Sequence, residues 1–334
     1  MSRRFVDQLK DGDSIEEIYL VSDKQLRANR NGNLYLQFEL RDRTGVIGAR
    51  MWNVSDALSR SFDTGDFVVV DAKVQLFQGS LQVIVSSITQ VPDQKLEIGD
   101  FMPHSPKPVS QMLQTLRAKL MKIGNPELRS LAECYLMDDE FLRGFGSAPA
   151  GVRIHHAYVG GLLEHTLAMM DLAERIAPLY PDLDQDLLTI GVFLHDSGKI
   201  AELSYSRAFG YTDEGQLVGH LAIGSRMLHE KAAQVSELTG QPMSRDLLLR
   251  VEHMILSHHG TLEFGSPKVP MTIEAIALHE IDSLDTRMNI ALREINEDPN
   301  NASAWTPYNP ALGRRLYKGG ESGDLYSPTL EAYD

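Results

Sequence analysis

Only one cysteine, Cys134, stands in the 334 residues. An intramolecular disulfide and a cysteine-rich zinc site are therefore excluded, and a reducing compartment is expected. No apolar run approaches the ~18 residues that a spanning helix needs, so no membrane partner is expected. The charged start MSRRFVDQLKDGDS has no apolar stretch behind it that reads as a secretory signal, and the expected location is cytoplasmic. A broad basic surface is missing too. The net charge of -14 argues against indiscriminate binding of nucleic acid but leaves room for a local basic groove. Residues 1–100 carry 12 Lys+Arg against 15 Asp+Glu, so the acidic excess lies mainly beyond them. Internal repeats and low-complexity tracts are absent. What remains is ordinary for a soluble globular chain, 43% hydrophobic and 23% charged, and long enough for two domains.

The first of these reads as strands. LYLQFEL (34–40) alternates, with Leu34, Leu36, Phe38 and Leu40 on one face and Tyr35, Gln37 and Glu39 on the other. Turn chemistry flanks it in NRNGN and RDRTG. GVIGARMW reads as a third strand, NVSDALSRSF as a short capped helix, and DFVVVDAKVQLF and SLQVIVSSI as a pair joined at QGS. Three strands, a helix and two strands is the order of an oligonucleotide-binding (OB) barrel. The expected organisation is an all-β OB-like barrel over 1–91 and a Pro-rich linker over 92–109. An all-α helical bundle over 110–296 and an irregular tail over 297–334 complete it. Helices are expected near 110–123, 126–143, 157–178, 184–195, 218–238, 244–258 and 271–296, where apolar residues recur at three and four.

FLHDSGK (193–199) closes one of those helices. By itself it reads as a helix end, with a glycine stop and a lysine offsetting the helix dipole. The rest of the domain weakens that reading, because ten of the 11 histidines lie between His155 and His279. His165 shares a helix face with Leu162, Met169 and Leu172. His195 does so with Leu188 and Val192, His220 with Ile223 and Met227, and Asp282 with Ala275 and Leu278. Inward histidines and an inward aspartate are costly unless paired or bound to metal. Four helices presenting such groups, one as an adjacent His-Asp pair, resemble ligation in a bundle core. Imidazole and carboxylate without thiolate favour Mn, Fe, Co, Zn or Mg. Asp196 could bridge two ions, and such a pair activates a water and neutralises phosphate charge, which makes phosphodiester hydrolysis the natural reaction.

EH at 164–165, HDSGK at 195–199, GH at 219–220, SHHG at 257–260 and ID at 281–282 resemble the H…HD…H…H…D order of the HD-domain metal-dependent phosphohydrolases. HHAYVGGLLEHT, ILSHHGTLEFGSP and IEAIALHEIDSLD, behind an OB domain, are similar to the YhaM-type 3'-5' exoribonucleases. That resemblance implies His165, His195, Asp196 and Asp282 as ligands of one metal, with Asp196 shared. It implies His220, His258 and His259 for a second ion, either member of the His258-His259 pair being eligible. Asp196 and Lys199 become the catalytic candidates, Lys199 facing the scissile phosphate. The implied cofactor is one or two divalent ions, Mn²⁺ first, with Co²⁺, Fe²⁺, Mg²⁺ or Zn²⁺ as alternatives. The implied activity is 3'-5' hydrolysis of single-stranded RNA, extending to single-stranded DNA, to nucleoside monophosphates; homo-oligomeric assembly is a further implication. Ser197 stands where HD proteins commonly carry a small apolar residue. His155 and His156 are candidates for the substrate entrance or for packing at a helix N-terminus, while His229, His253 and His279 carry no assigned chemistry.

OB barrels hold single strands by stacking bases on aromatics and tracking phosphates with basic groups. The candidates are Arg27 and Arg30 in the first loop, Tyr35 and Gln37 on the second strand, Arg50 and Trp52 on the third, and Phe77 in the last loop. Trp52 as a cap on the barrel core and Arg50 as a solvated residue are the competing readings. Two rival functions stand beside the exoribonuclease: a phosphohydrolase of free or cyclic nucleotides, and a nucleic-acid-binding module whose metals are structural.

Overall fold

Alternation turns Leu36, Phe38 and Leu40 of one N-terminal strand inward, and five strands close on themselves. In the computed structural model, residues 3–29, 32–77, 79–92, 96, 98–152, 158–205, 209–298, 300 and 303–319 are described. The strands are β1 (Ser14–Ala28), β2 (Leu34–Asp42), β3 (Gly45–Trp52), β4 (Phe67–Phe77) and β5 (Ser80–Val91), with the short helix α1 (Asp56–Ser59) between β3 and β4. They form a closed barrel in the order β1-β2-β3-β5-β4, the OB arrangement expected from the pattern. β1 is long enough to serve two neighbours, pairing with β4 from Ser14 to Leu20 and with β2 from Leu20 to Ala28. A register shift between Ser22 and Gln25, with Asp23 at φ 45°, bends the strand where it changes role. Parallel pairing of β3 with β5, Gly48 opposite Gln82 and Arg50 opposite Ile84, closes the ring. Leu36, Phe38 and Leu40 join Tyr19, Ile47, Val70 and Val83 in the barrel core.

The described residues between the barrel and the first bundle helix pack against the barrel. A 3-10 turn at Ile98–Asp100 leads into Phe101 and Met102, both buried against Leu20 and Phe67 of the barrel. Beyond this neck lie α2 (Val109–Leu120), α3 (Pro126–Leu136), α4 (Asp139–Ser147), α5 (Gly161–Ile176), α6 (Gln185–Leu194) and α7 (Lys199–Glu202). A two-stranded hairpin of β6 (Leu203–Ser204) and β7 (Gly210–Tyr211) follows, then α8 (Asp213–Leu217), α9 (His220–Thr239), α10 (Arg245–Ser257) and α11 (Ile273–Asn296). α6 is the axis of this bundle: its LLTIGVFL run is buried on nearly every side, packed by α5, α10 and α11.

Three helix expectations change. The single helix expected over 126–143 is two, because the Asp138 carboxylate accepts the Glu140 and Phe141 N–H groups and starts α4. The helix expected from 157 begins at Gly161, after Gly160 in the left-handed region at φ 83°. The stretch between α6 and α9, expected as a connection, carries α7, the hairpin and α8. In the tail, Trp305 and Tyr317 pair across an isolated bridge with ring centroids 5.2 Å apart. Among the described residues no helix is long and apolar enough to cross a membrane.

Candidate metal centre and nucleic-acid face

Helix ends do most of the positioning in the bundle. His195 caps α6 and Asp196 follows it in a tight turn, His220 opens α9, His258 caps α10 and His259 lies just beyond. His165 and Asp282 come from within α5 and α11. The α6–α7 turn lies so close to the start of α9 that a Cβ on Gly198 would sit 2.1 Å from the His220 carbonyl oxygen. A glycine is therefore required between Asp196 and Lys199. Ser197, the departure from the family pattern, is buried and donates its hydroxyl to Leu194 O at 2.8 Å, so no polar group is stranded.

Asp196 is the centre of the cluster. Its Oδ2 lies 3.3 Å from His195 Nε2 and 4.0 Å from His165 Nε2. Its Oδ1 lies 3.5 Å from His258 Nε2 and 3.6 Å from His220 Nε2. One carboxylate thus faces two sets of imidazoles through different oxygens. Asp282 Oδ1 is 3.4 Å from His165 Nε2 on the first side, and His259 Nε2 is 3.2 Å from His220 Nε2 on the second. The ligand atoms of His165, His195 and Asp282 fall within 4.8 Å of one another, as do those of His220, His258 and His259. Both members of the His258-His259 pair reach the cluster.

The electrostatics fit a cation held between these groups. His165, His195 and His258 are buried, as is Asp196. Among the described residues, the Asp196 Oδ1 and His195 Nε2 atoms are buried without a well-formed hydrogen bond, an arrangement that metal coordination resolves and an apolar core does not. Burial pulls the Asp196 carboxyl upward, yet the Lys199 ammonium and His195 hold it well below the usual carboxylate range. Burial opposes protonation of His165, but Asp282 and Asp285 push it up to about 9, so the carboxylates draw positive charge to this imidazole and a bound cation would take the place of its proton. Burial also raises Asp282, and His165 outweighs it, leaving that carboxylate ionised. A donor set of imidazoles and carboxylates without thiolate suits Mn, Fe, Co, Zn or Mg.

Two carboxylates not singled out in the sequence orient the imidazoles. Asp285 Oδ2 lies 2.8 Å from His165 Nδ1, and Glu202 Oε1 lies 2.9 Å from His220 Nδ1 and accepts the His220 backbone N–H at 3.0 Å. His195 and His258 instead give Nδ1–H to the Val192 and Ile255 carbonyls at 2.8 and 2.9 Å. Each set therefore has one carboxylate-backed and one carbonyl-backed imidazole, all turning Nε2 to the centre. Asp285 was legible in principle, three residues after Asp282 on the same helix face. Lys199 donates to Asp196 Oδ2 at 2.7 Å and to Ala150 O at 2.6 Å. Of the unassigned histidines, His279 Nδ1 lies 2.7 Å from His258 O and steadies the α10 end, His253 accepts the Met271 N–H, and exposed His229 meets Glu252.

On the barrel the candidates fall into cross-strand rows. Arg27 pairs with Tyr35 and Tyr35 with Trp52; Gln25 pairs with Gln37 and Gln37 with Arg50. The Tyr35 and Trp52 rings lie 4.9 Å apart, and Trp52 is 44% exposed, so it lies on the surface and does not cap the core. The Arg50 guanidinium lies 5.5 Å from the centroid of the exposed Phe77 ring. The face therefore joins aromatic surface to cationic groups. Arg30, His155 and His156 lie outside the described residues.

A family model described as an HD domain matches residues 162–287, and one described as an OB-fold nucleic acid binding domain matches residues 20–91. The 3'-5' exoribonuclease YhaM of Bacillus subtilis (strain 168) is 35% identical over 285 residues, 85% of this chain and 88% of that protein. The YhaM of Bacillus velezensis is 34% identical over 278 residues, 83% of this chain and 86% of that one. Among solved structures, a domain of replication protein A from Methanococcus maripaludis is 21% identical, covering 27% of this chain and 96% of that one, with a TM-score of 0.24.

Proposed function

The chain belongs to the YhaM family of 3'-5' exoribonucleases, and from that premise we propose that it shortens single-stranded RNA from the 3' end, releasing nucleoside monophosphates. The observation that carries the reading is Asp196, buried between two sets of imidazoles and addressing each through a different oxygen. His165, His195, Asp196 and Asp282 would hold one divalent ion, and His220, His258 and His259, with the other oxygen of Asp196, a second. Mn²⁺ is the proposed ion, with Co²⁺, Fe²⁺, Mg²⁺ and Zn²⁺ to be compared. When bound, such ions supply an activated water and neutralise charge on the phosphate.

The chain's own groups do the rest. Glu202 and Asp285 hold His220 and His165 in the tautomer that presents Nε2 to the site. Lys199 commits two of its three protons to Asp196 and Ala150, which leaves one for a non-bridging oxygen of the scissile phosphate. Burial of the cluster excludes bulk water, which strengthens every charge interaction there. Tyr35 and Trp52 would stack bases while Arg27 and Arg50 follow phosphates, and this recognition extends to single-stranded DNA because a π-face is common to both. Family membership favours this reading over a phosphohydrolase of free or cyclic nucleotides and over a binding module with structural metals. The test uses end-labelled single strands with a free or blocked 3' terminus in Mn²⁺. Degradation of the free strand alone is expected; equal degradation of both would refute the polarity.

A further inference from the structure

The barrel and the metal centre must be held in a defined relation if one is to feed the other, and a single carboxylate stands where the two are joined. Glu164, immediately before His165 on α5, collects contacts from segments 59 residues and 6 residues away: Ser105 Oγ donates to its Oε2 at 2.7 Å and Tyr158 OH at 2.8 Å. Lys107 Nζ lies 3.1 Å from its Oε1. Ser105 and Lys107 belong to the neck, and Tyr158 to the turn that launches α5. The same two segments are stitched by backbone bonds, Ser105 N–H to Val159 O and Val159 N–H to Pro103 O, both 2.9 Å. Phe101 and Met102, just ahead, are buried against Leu20 and Phe67 at the barrel base and against Val159. A continuous chain of contacts thus runs from the barrel base through the neck to the helix that carries His165.

We propose that Glu164 is a positioning residue that locks the neck to α5 and thereby fixes the direction from which the barrel presents a strand to the metal centre. The inference rests on the exonuclease reading above. Arg27, opposite Tyr35, is seven positions along β1 from Leu20, at most roughly 23 Å at the rise of a strand because β1 bends between Ser22 and Gln25. Over that lever a tilt of about 10° at the neck shifts the binding face by up to about 4 Å, and misplacement of ~1 Å can already cost a reaction about 100-fold. The effect of freeing the neck should therefore depend on whether the substrate spans both domains. A long strand engages the barrel and the centre together, whereas a dinucleotide reaches only the centre.

The experiment measures kcat and KM in Mn²⁺ for a long single-stranded RNA and for a dinucleotide, on the wild type and on Glu164→Ala, Glu164→Gln and Ser105→Ala. For Glu164→Ala, kcat/KM for the long strand should fall about tenfold with the dinucleotide parameters within about twofold of wild type. Glu164→Gln, which keeps an acceptor for Ser105 and Tyr158, should recover part of the loss. Ser105→Ala changes only the neck side and should show the same split at smaller size, so it carries the test if the α5 variants do not fold. Equal losses on both substrates, or no loss on the long strand, would overturn the proposal. A wild type inactive on both substrates would instead overturn the exonuclease reading.

Discussion

The two functional regions are built on opposite plans. The barrel face is an open sheet surface, its aromatic and cationic groups laid out in rows by strand register, with Trp52 and Phe77 exposed to solvent. The metal centre is a buried convergence of groups drawn from α5, α6, α9, α10 and α11 and the turns between them, with Asp196 in the middle. On the proposed function the difference follows from two tasks. Holding a flexible strand needs many weak, interchangeable contacts that any base can use. Cutting a phosphodiester needs a few groups fixed in geometry where water cannot screen them. The first should fail gradually when residues are removed, and the second abruptly.

Four perturbations sharpen that contrast. Stripping divalent metal with a chelator should reduce hydrolysis to background while leaving strand binding in place, with Mn²⁺ restoring activity; nucleotide release and anisotropy on one sample check both. Asp285→Asn and Glu202→Gln remove the charge behind His165 and His220. Each should weaken metal affinity about 10- to 100-fold without changing strand affinity, as read by competition titration with a metal indicator. Trp52→Ala should weaken binding of a single strand by ~1–3 kcal/mol, with dinucleotide hydrolysis unaffected. Arg27→Ala should give the smallest change: a strand-affinity slope against log salt shallower by about 0.7, from one lost phosphate contact.

How much of this was legible in the sequence depends on where periodicity holds. β2 was readable because LYLQFEL alternates, and Leu36, Phe38 and Leu40 are indeed buried. The inward direction of His165 was readable because Leu162 and Met169, three before it and four after, share its buried face of α5. Periodicity could not choose between His258 and His259, because α10 ends there and successive residues no longer diverge by the helical angle. Glu202 escaped because it acts through a histidine 18 residues away, a pairing only the fold creates, whereas Asp285 shares a helix face with Asp282 and only its partner, 120 residues away, was hidden. The split at Asp138 had a signal, a carboxylate followed by Asp-Glu-Phe, that an unbroken apolar rhythm concealed. Short elements such as α7, α8 and the β6–β7 hairpin are fixed by packing around the site and carry no periodicity of their own.

On the proposed function an exposed face holds the strand and a buried centre cuts it. Asp196→Ala tests it most directly, with Mn²⁺ present and two readings on the same preparation: affinity for a 3'-blocked single strand, and mononucleotide release from an unblocked one. Affinity within about twofold of wild type is expected, since the barrel contacts are untouched, together with no detectable release. Continued release, or loss of strand affinity in step with activity, would contradict that division of labour.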